Sequence, residues 1–266
     1  MNNLKKIGLS ALAGSLVSVS AHAAEFSVSG SASITMDRPS KEMVTGNDFS
    51  MGDSLGFNAS GETDGGLGVA VYYEIDNGAL DDYDMTLSGD WGSLKFNGSG
   101  SSSALGAVDD VMPNAYEESW DILDTDGTNT TGSPLPIGGG GGTNMFIYTS
   151  PSVAGATLTM AYQNDGGAAA VADSYTDFAI AYSPEMVEGL TVGYARADQN
   201  AGVSIDVDKS TMYAKYAVGG FTVGYQVSEA DHDTKSSSAD VVAYGITYAV
   251  NDDFSIGYHN HTYEPD

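Results

Sequence analysis

Apolar side chains alternate with Gly, Ala, Ser and Thr in short segments, and the connections between segments are by turns long and short. No apolar run of helix length follows the N-terminus. Together these observations predict an all-β fold, an antiparallel transmembrane β-barrel. Composition narrows the function classes. The 266 residues include 34 Gly, 16 Tyr and no Cys, with 9 Lys+Arg against 36 Asp+Glu and a formal charge of −27. Without cysteine there is no disulfide scaffold, thiolate metal site or cysteine nucleophile. The acidic excess argues against nucleic acid or an anionic surface as partner, because both reward clustered Lys and Arg. Regularly placed apolar residues, with 10% aromatics, argue against an acidic disordered chain.

Residues 1–23 read as a secretory signal peptide. Lys5 and Lys6 supply the basic start, Ile7–Val19 the apolar stretch and Ala21-His22-Ala23 the cleavage site. The apolar stretch is shorter than the roughly 20 residues a spanning helix needs. Residues 24–266 then form the barrel, since a membrane-resident chain without spanning helices must cross as closed strands. Thirteen strands are predicted, at 26–36, 49–60, 67–76, 84–90, 93–98, 144–150, 155–163, 176–183, 189–197, 209–218, 220–228, 240–250 and 253–262. Their faces are unlike. Leu67, Val69, Val71, Tyr73 and Ile75 oppose Gly68, Ala70, Tyr72 and Glu74; Val242, Tyr244, Ile246, Tyr248 and Val250 oppose Ala243, Gly245, Thr247 and Ala249. A soluble sandwich would bury the first face and cover the second with Lys and Glu. A small, weakly polar second face suits a water-filled lumen.

The connections 37–48, 77–83, 99–143, 164–175, 198–208 and 229–239 are predicted long, and those between them short. All elaborate loops therefore fall at one end, as in outer-membrane barrels with short periplasmic turns. Tyr148, Tyr162, Tyr182, Tyr194, Tyr216, Tyr225, Tyr244, Tyr248 and Tyr258 lie on or near apolar faces, many close to strand ends, where interfacial aromatic girdles form.

Several segments carry a resemblance. Gly61-Glu62-Thr63-Asp64-Gly65-Gly66-Leu67-Gly68 with Tyr73-Glu74-Ile75-Asp76 resembles the second hairpin of Gram-negative general porins. Ser88-Gly89-Asp90-Trp91-Gly92-Ser93-Leu94 resembles their next turn. Tyr148-Thr149-Ser150-Pro151 followed by Gly155-Ala156-Thr157-Leu158 resembles the hairpin after their long third loop. Gly189-Leu190-Thr191-Val192-Gly193-Tyr194 and Gly220-Phe221-Thr222-Val223-Gly224-Tyr225 repeat the idiom. The order of these motifs is similar to the alphaproteobacterial type. The resemblance implies a sixteen-stranded outer-membrane barrel, assembled as a homotrimer, that passes small hydrophilic solutes and ions without a cofactor. Against that count about thirteen strands are present, and Tyr263-Glu264-Pro265-Asp266 lacks the terminal aromatic, so a C-terminally truncated sequence is expected.

The long connection 99–143 is the predicted pore-constricting loop. Asp109, Asp110, Glu117, Glu118 and Asp121 crowd it with carboxylates, which inside a low-dielectric wall would enrich cations and repel anions. Lys95 and Lys215 fall by parity on the small-residue faces and are predicted to stand across from that acidic loop. A short helix is expected within Ala115–Leu123. Asp124 and Asp126 have the D-x-D-G spacing of half a calcium loop, without its closing Glu, and are the Ca2+ candidates. His259 and His261 share a strand face but have no third ligand. No nucleophile elbow, P-loop or H-E-x-x-H occurs, so no enzyme is predicted. The expected function is cation-preferring passive diffusion. The rival readings are a structural or adhesive barrel with a plugged lumen, and a secreted soluble β-protein.

Overall fold

A computed structural model describes residues 25–36, 49–115, 137–140, 143–164, 173–201, 206–233 and 238–265. The stretch 1–23, predicted to be a signal peptide, lies outside them. The strands are β1 (Glu25–Met36), β2 (Phe49–Glu62), β3 (Gly68–Asp76), β4 (Ala79–Gly89), β5 (Gly92–Ser99), β6 (Met145–Thr149), β7 (Ala156–Gln163), β8 (Asp173–Tyr182), β9 (Leu190–Ala201), β10 (Asp206–Val218), β11 (Phe221–His232), β12 (Ala239–Asn251) and β13 (Phe254–Pro265). They form one 13-stranded sheet in sequence order, every neighbouring pair antiparallel. All thirteen predicted strands are present, and among the described residues no pairing joins β1 to β13.

Two expectations about the connections are corrected. The stretch 77–83 is not a loop: β3 and β4 are joined by Asn77-Gly78 alone, with φ of 49° and 79°. Both central residues are left-handed, as a two-residue hairpin turn of matching twist requires. The hairpin's register shift falls between Tyr73 and Ile75, which pair with Tyr83 and Leu80. The long–short alternation also has exceptions, because β9, β10 and β11 run past their predicted ends and shorten the loops to 202–205 and 233–238. These extensions are still strand, but their outward side chains turn polar: Asp198, Asn200, Asp206, Asp208, Glu229 and Asp231. Apolar patterning therefore ended the predicted strands where the apolar belt ends, not where hydrogen bonding ends.

The two faces differ as the alternation implies. Tyr194, Met212, Tyr216, Phe221, Val223, Tyr225, Tyr244 and Ile246 are exposed, while Ala179, Ala195, Ala197, Thr211, Tyr213, Gln226, Ser228 and Ala243 are buried on the opposite face. A water-soluble sandwich would reverse this distribution. Aromatic contacts run along the exposed face. Trp91 stacks on Tyr148 at 6.2 Å, and the Tyr148 hydroxyl donates to the Trp91 carbonyl at 2.8 Å. Phe221 stacks on Tyr248 at 4.3 Å, across the β11–β12 register.

Candidate functional site: a loop laid along the inner wall

The buried face is covered by the chain between β5 and β6. After β5, Gly100 turns with φ of 90° beside the Asp82 carboxylate, so close that a side chain at 100 would collide with it. Residues 103–108 form a short turn, in which Ala107 N–H donates to the Ser103 carbonyl and Val108 N–H to the Leu105 carbonyl. Asp177 of β8 holds that turn. Its carboxylate accepts from Ala104 N–H (3.2 Å), Leu105 N–H (2.7 Å) and the Tyr175 hydroxyl (2.9 Å). Three donors offset the cost of burying this charge. Around them Ala104, Leu105, Met145, Ile147, Ala161, Tyr175, Ala179, Ala195 and Ala197 form a small apolar core.

Farther along, Gln226 of β11 engages the loop with both ends of its amide. Oε1 accepts from Val111 N–H at 3.1 Å, and Nε2 lies 2.8 Å from the Val108 carbonyl and 2.9 Å from that of Asp109. Met112 then packs with Tyr213 and Ala243. Pro113 rests on Gly224 and Gly245, and Ala115 on Gly257. The first two glycines are paired in the β11–β12 register, so the wall is lowered where the loop crosses it. The returning leg is tied as well. Ser103 Oγ accepts from Gly106 N–H and Gly140 N–H, both at 3.1 Å, and Lys209 Nζ donates to the Gly138 carbonyl at 3.0 Å. Ile137 packs with Val207, Ala230 and Val241.

Asp109 and Asp110 thus lie in the part of the loop that crosses β11. Asp109 Oδ1 accepts from Asp110 N–H at 2.9 Å, and Asp110 Oδ1 from Met112 N–H at 3.0 Å. Burial, reinforced by the neighbouring Asp110 charge, pushes the Asp109 carboxyl up to about 6, while backbone hydrogen bonds pull the other way. Lys95 and Lys215 are both on the buried face, as parity implies. Lys95 is at the foot of the loop, not across from it: its Nζ is 3.2 Å from Asp84 Oδ2 and 3.4 Å from Ser101 Oγ. Lys215 is paired in register with Thr191 and Gly224, beside the Pro113 crossing.

Glu117, Glu118, Asp121, Asp124 and Asp126 lie outside the described residues, as does the expected helix beyond Ala115. Among the described residues no group of three His, Asp or Glu is placed to hold a metal ion. Sequence reasoning missed the residues that position the loop, above all Asp177 and Gln226. Their signal was a large polar side chain on a face made mostly of Gly, Ala, Ser and Thr. It also gave no role to Glu74, which accepts from Tyr72 (2.7 Å) and Ser54 on the same face of β2–β3.

Several solved structures are similar to this one, among them porins and an outer-membrane protein. An anion-selective porin from Comamonas acidovorans matches with a TM-score of 0.58 and 17% identity over 90% of this chain and 79% of that one. OmpT of Vibrio cholerae matches with 0.60 and 12% over 91% and 76%. OmpF of Salmonella typhi, solved with daunomycin, matches with 0.54 and 14% over 90% and 79%. At these identities the likeness concerns fold. No curated protein sequence matches the chain significantly. The family model of Gram-negative porins matches residues 8–265. That match spans nearly all the sequence and agrees with the outward apolar face and the loop laid inside, and the chain belongs to the Gram-negative porin family.

Proposed function

We propose that this porin admits small hydrophilic solutes and ions by passive diffusion across the outer membrane, with preference for cations. The observation that carries this reading is the clamped stretch 103–115, which holds Asp109 and Asp110 against the wall of a molecule whose apolar residues face outward. Carboxylates held in a low-dielectric confine raise the local concentration of cations and lower that of anions. The similar Comamonas porin is anion-selective, so the sign of selectivity has to come from this chain's own side chains. The acidic excess in the loop supports the cationic sign, with Glu117, Glu118 and Asp121 extending it. Lys95 neutralises Asp84 locally, which leaves Lys215 as the stronger candidate for a positive counter-wall.

In the same reading residues 1–23 direct export, the assembled form is a homotrimer of the alphaproteobacterial type, and Asp124 and Asp126 take Ca2+ only as a secondary role. One observation favours the plugged alternative: the loop packs through three apolar clusters, not through polar contacts alone. Conductance separates the two. The full-length protein in a planar bilayer under a KCl gradient should conduct, with a reversal potential of cation-selective sign. Absence of conductance would leave the plugged barrel. Anion selectivity would overturn the acidic-loop mechanism.

A further inference from the structure

The acidic pair is positioned by a residue that carries no charge. Gln226 is 2% exposed, and Thr211 and Ser228 beside it are 1% and 5% exposed. Its two Nε2 hydrogens are shared among three acceptors, because Thr211 Oγ1 also stands 2.8 Å from Nε2, and that hydroxyl contacts Ser228 Oγ at 2.7 Å. Thr211 Oγ1 has the Val227 carbonyl at 3.3 Å to take its own hydrogen, which leaves it an acceptor for Nε2, and the amide stands with nitrogen toward the carbonyls of Val108 and Asp109 and oxygen toward Val111 N–H. These three backbone groups bracket Asp109 and Asp110. One side chain therefore does for the loop what a neighbouring strand does for a strand: it takes up a carbonyl and an N–H of the same short stretch. Both amide ends are used, so the loop cannot slide along the wall without leaving buried polar groups unpaired.

We infer that Gln226, oriented by Thr211, is a selectivity-setting residue: it fixes where the Asp109–Asp110 charges stand in the lumen and so sets the strength of ion discrimination. The inference rests on the proposed reading that these carboxylates filter ions. It adds that the filter depends on an uncharged amide across the sheet, because a carboxylate's influence on a passing ion falls off with distance within about a Debye length.

The test uses the full-length protein in planar bilayers and compares four forms: wild type, D109N/D110N, Gln226→Met and Thr211→Val. Methionine keeps the length of glutamine and removes both hydrogen-bonding ends. D109N/D110N should lower the cation-to-anion permeability ratio. Gln226→Met should lower it by about threefold although no charge is changed, the order of one partly screened charge interaction. Thr211→Val should lower it less, in the same direction, and provides the reading if Gln226→Met does not assemble. A purely structural role would alter conductance or noise and leave the ratio alone. If both wall variants retain the wild-type ratio while D109N/D110N lowers it, Gln226 does not set selectivity and the filter reading survives. If D109N/D110N retains it too, the acidic pair is not the filter and both fall.

Discussion

Asp109 gives a single carboxylate a titration that ordinary loop acids lack. An exposed Asp changes charge near pH 4, whereas burial raises this one to about 6. Two outcomes follow with opposite signs. As pH falls through about 6, Asp109 takes up a proton and the lumen loses one negative charge. Cation preference should therefore begin to fall about two pH units earlier than free carboxylates would allow, and D109N should abolish that early step in reversal-potential measurements. Stability moves the other way. Because the folded-state pKa lies above the unfolded value, the folded chain binds more protons between about pH 4 and 6, and stability is lost as pH rises through that window. D109N should thus unfold at a higher temperature than wild type at pH 7 in detergent, and at the same temperature at pH 4. Equal melting at both values would mean that Asp109 is not held in a desolvated site.

At the scale of elements, the strands were legible and the clamp was not, for a physical reason. Period-2 alternation is written along each strand by its need to show lipid one face and the lumen the other, so Val242–Val250 or Leu158–Tyr162 announces itself locally. The loop's path is set by partners distant in sequence. Asp177 meets Leu105 only once β5 to β8 have paired, and Gln226 meets Val111 only once β5 to β11 have; a large polar side chain on a small-residue face marks such a residue without naming its partner. Asn77-Gly78 was legible in principle as a hairpin turn, but the acidic Asp81-Asp82 that follows imitates a loop. Even the lowered track of glycines looked like generic strand punctuation. A substitution there tests the packing of loop on wall. In Gly245→Val the new carbons meet the Pro113 carbonyl, a backbone atom that cannot turn aside. Overpacking of this kind costs about 1–3 kcal/mol, and lifting the loop should relieve it. The expected result is larger and noisier single-channel conductance with the β-sheet circular dichroism unchanged. Asp177→Ala should release the other anchor. It strands the Ala104 and Leu105 N–H groups at about 1–3 kcal/mol per unpaired buried group, while the Tyr175 hydroxyl keeps Ser103 Oγ at 3.1 Å, and cleavage by added protease within 100–115 should become faster.

For the whole molecule, everything depends on which face meets lipid, and β11 carries the measurement within one strand. Phe221, Val223, Tyr225 and Val227 point outward in succession, and Glu229 and Asp231 continue the same face. Phe221 to Glu229 covers eight residues, or about 27 Å along the strand. With a barrel strand's tilt of about 35–45° this rises about 19–22 Å along the membrane normal, most of the roughly 25 Å apolar band. The polar continuation repeats across the sheet, where Arg196, Ser210, Glu229, Asp240 and Glu264 follow one another in register from β9 to β13. The boundary of the belt is therefore a property of the whole wall, not of one strand. It predicts a sharp contrast between two arginine substitutions on the same face. Val223→Arg places a guanidinium within the band and should cost about 2–4 kcal/mol, whereas Asp231→Arg, beyond it, should cost about 0–1 kcal/mol. Reversible urea unfolding from phospholipid vesicles measures both. If the outward face were instead bathed in water, both arginines would be tolerated alike, and a water-filled passage on the inner face would lose its foundation.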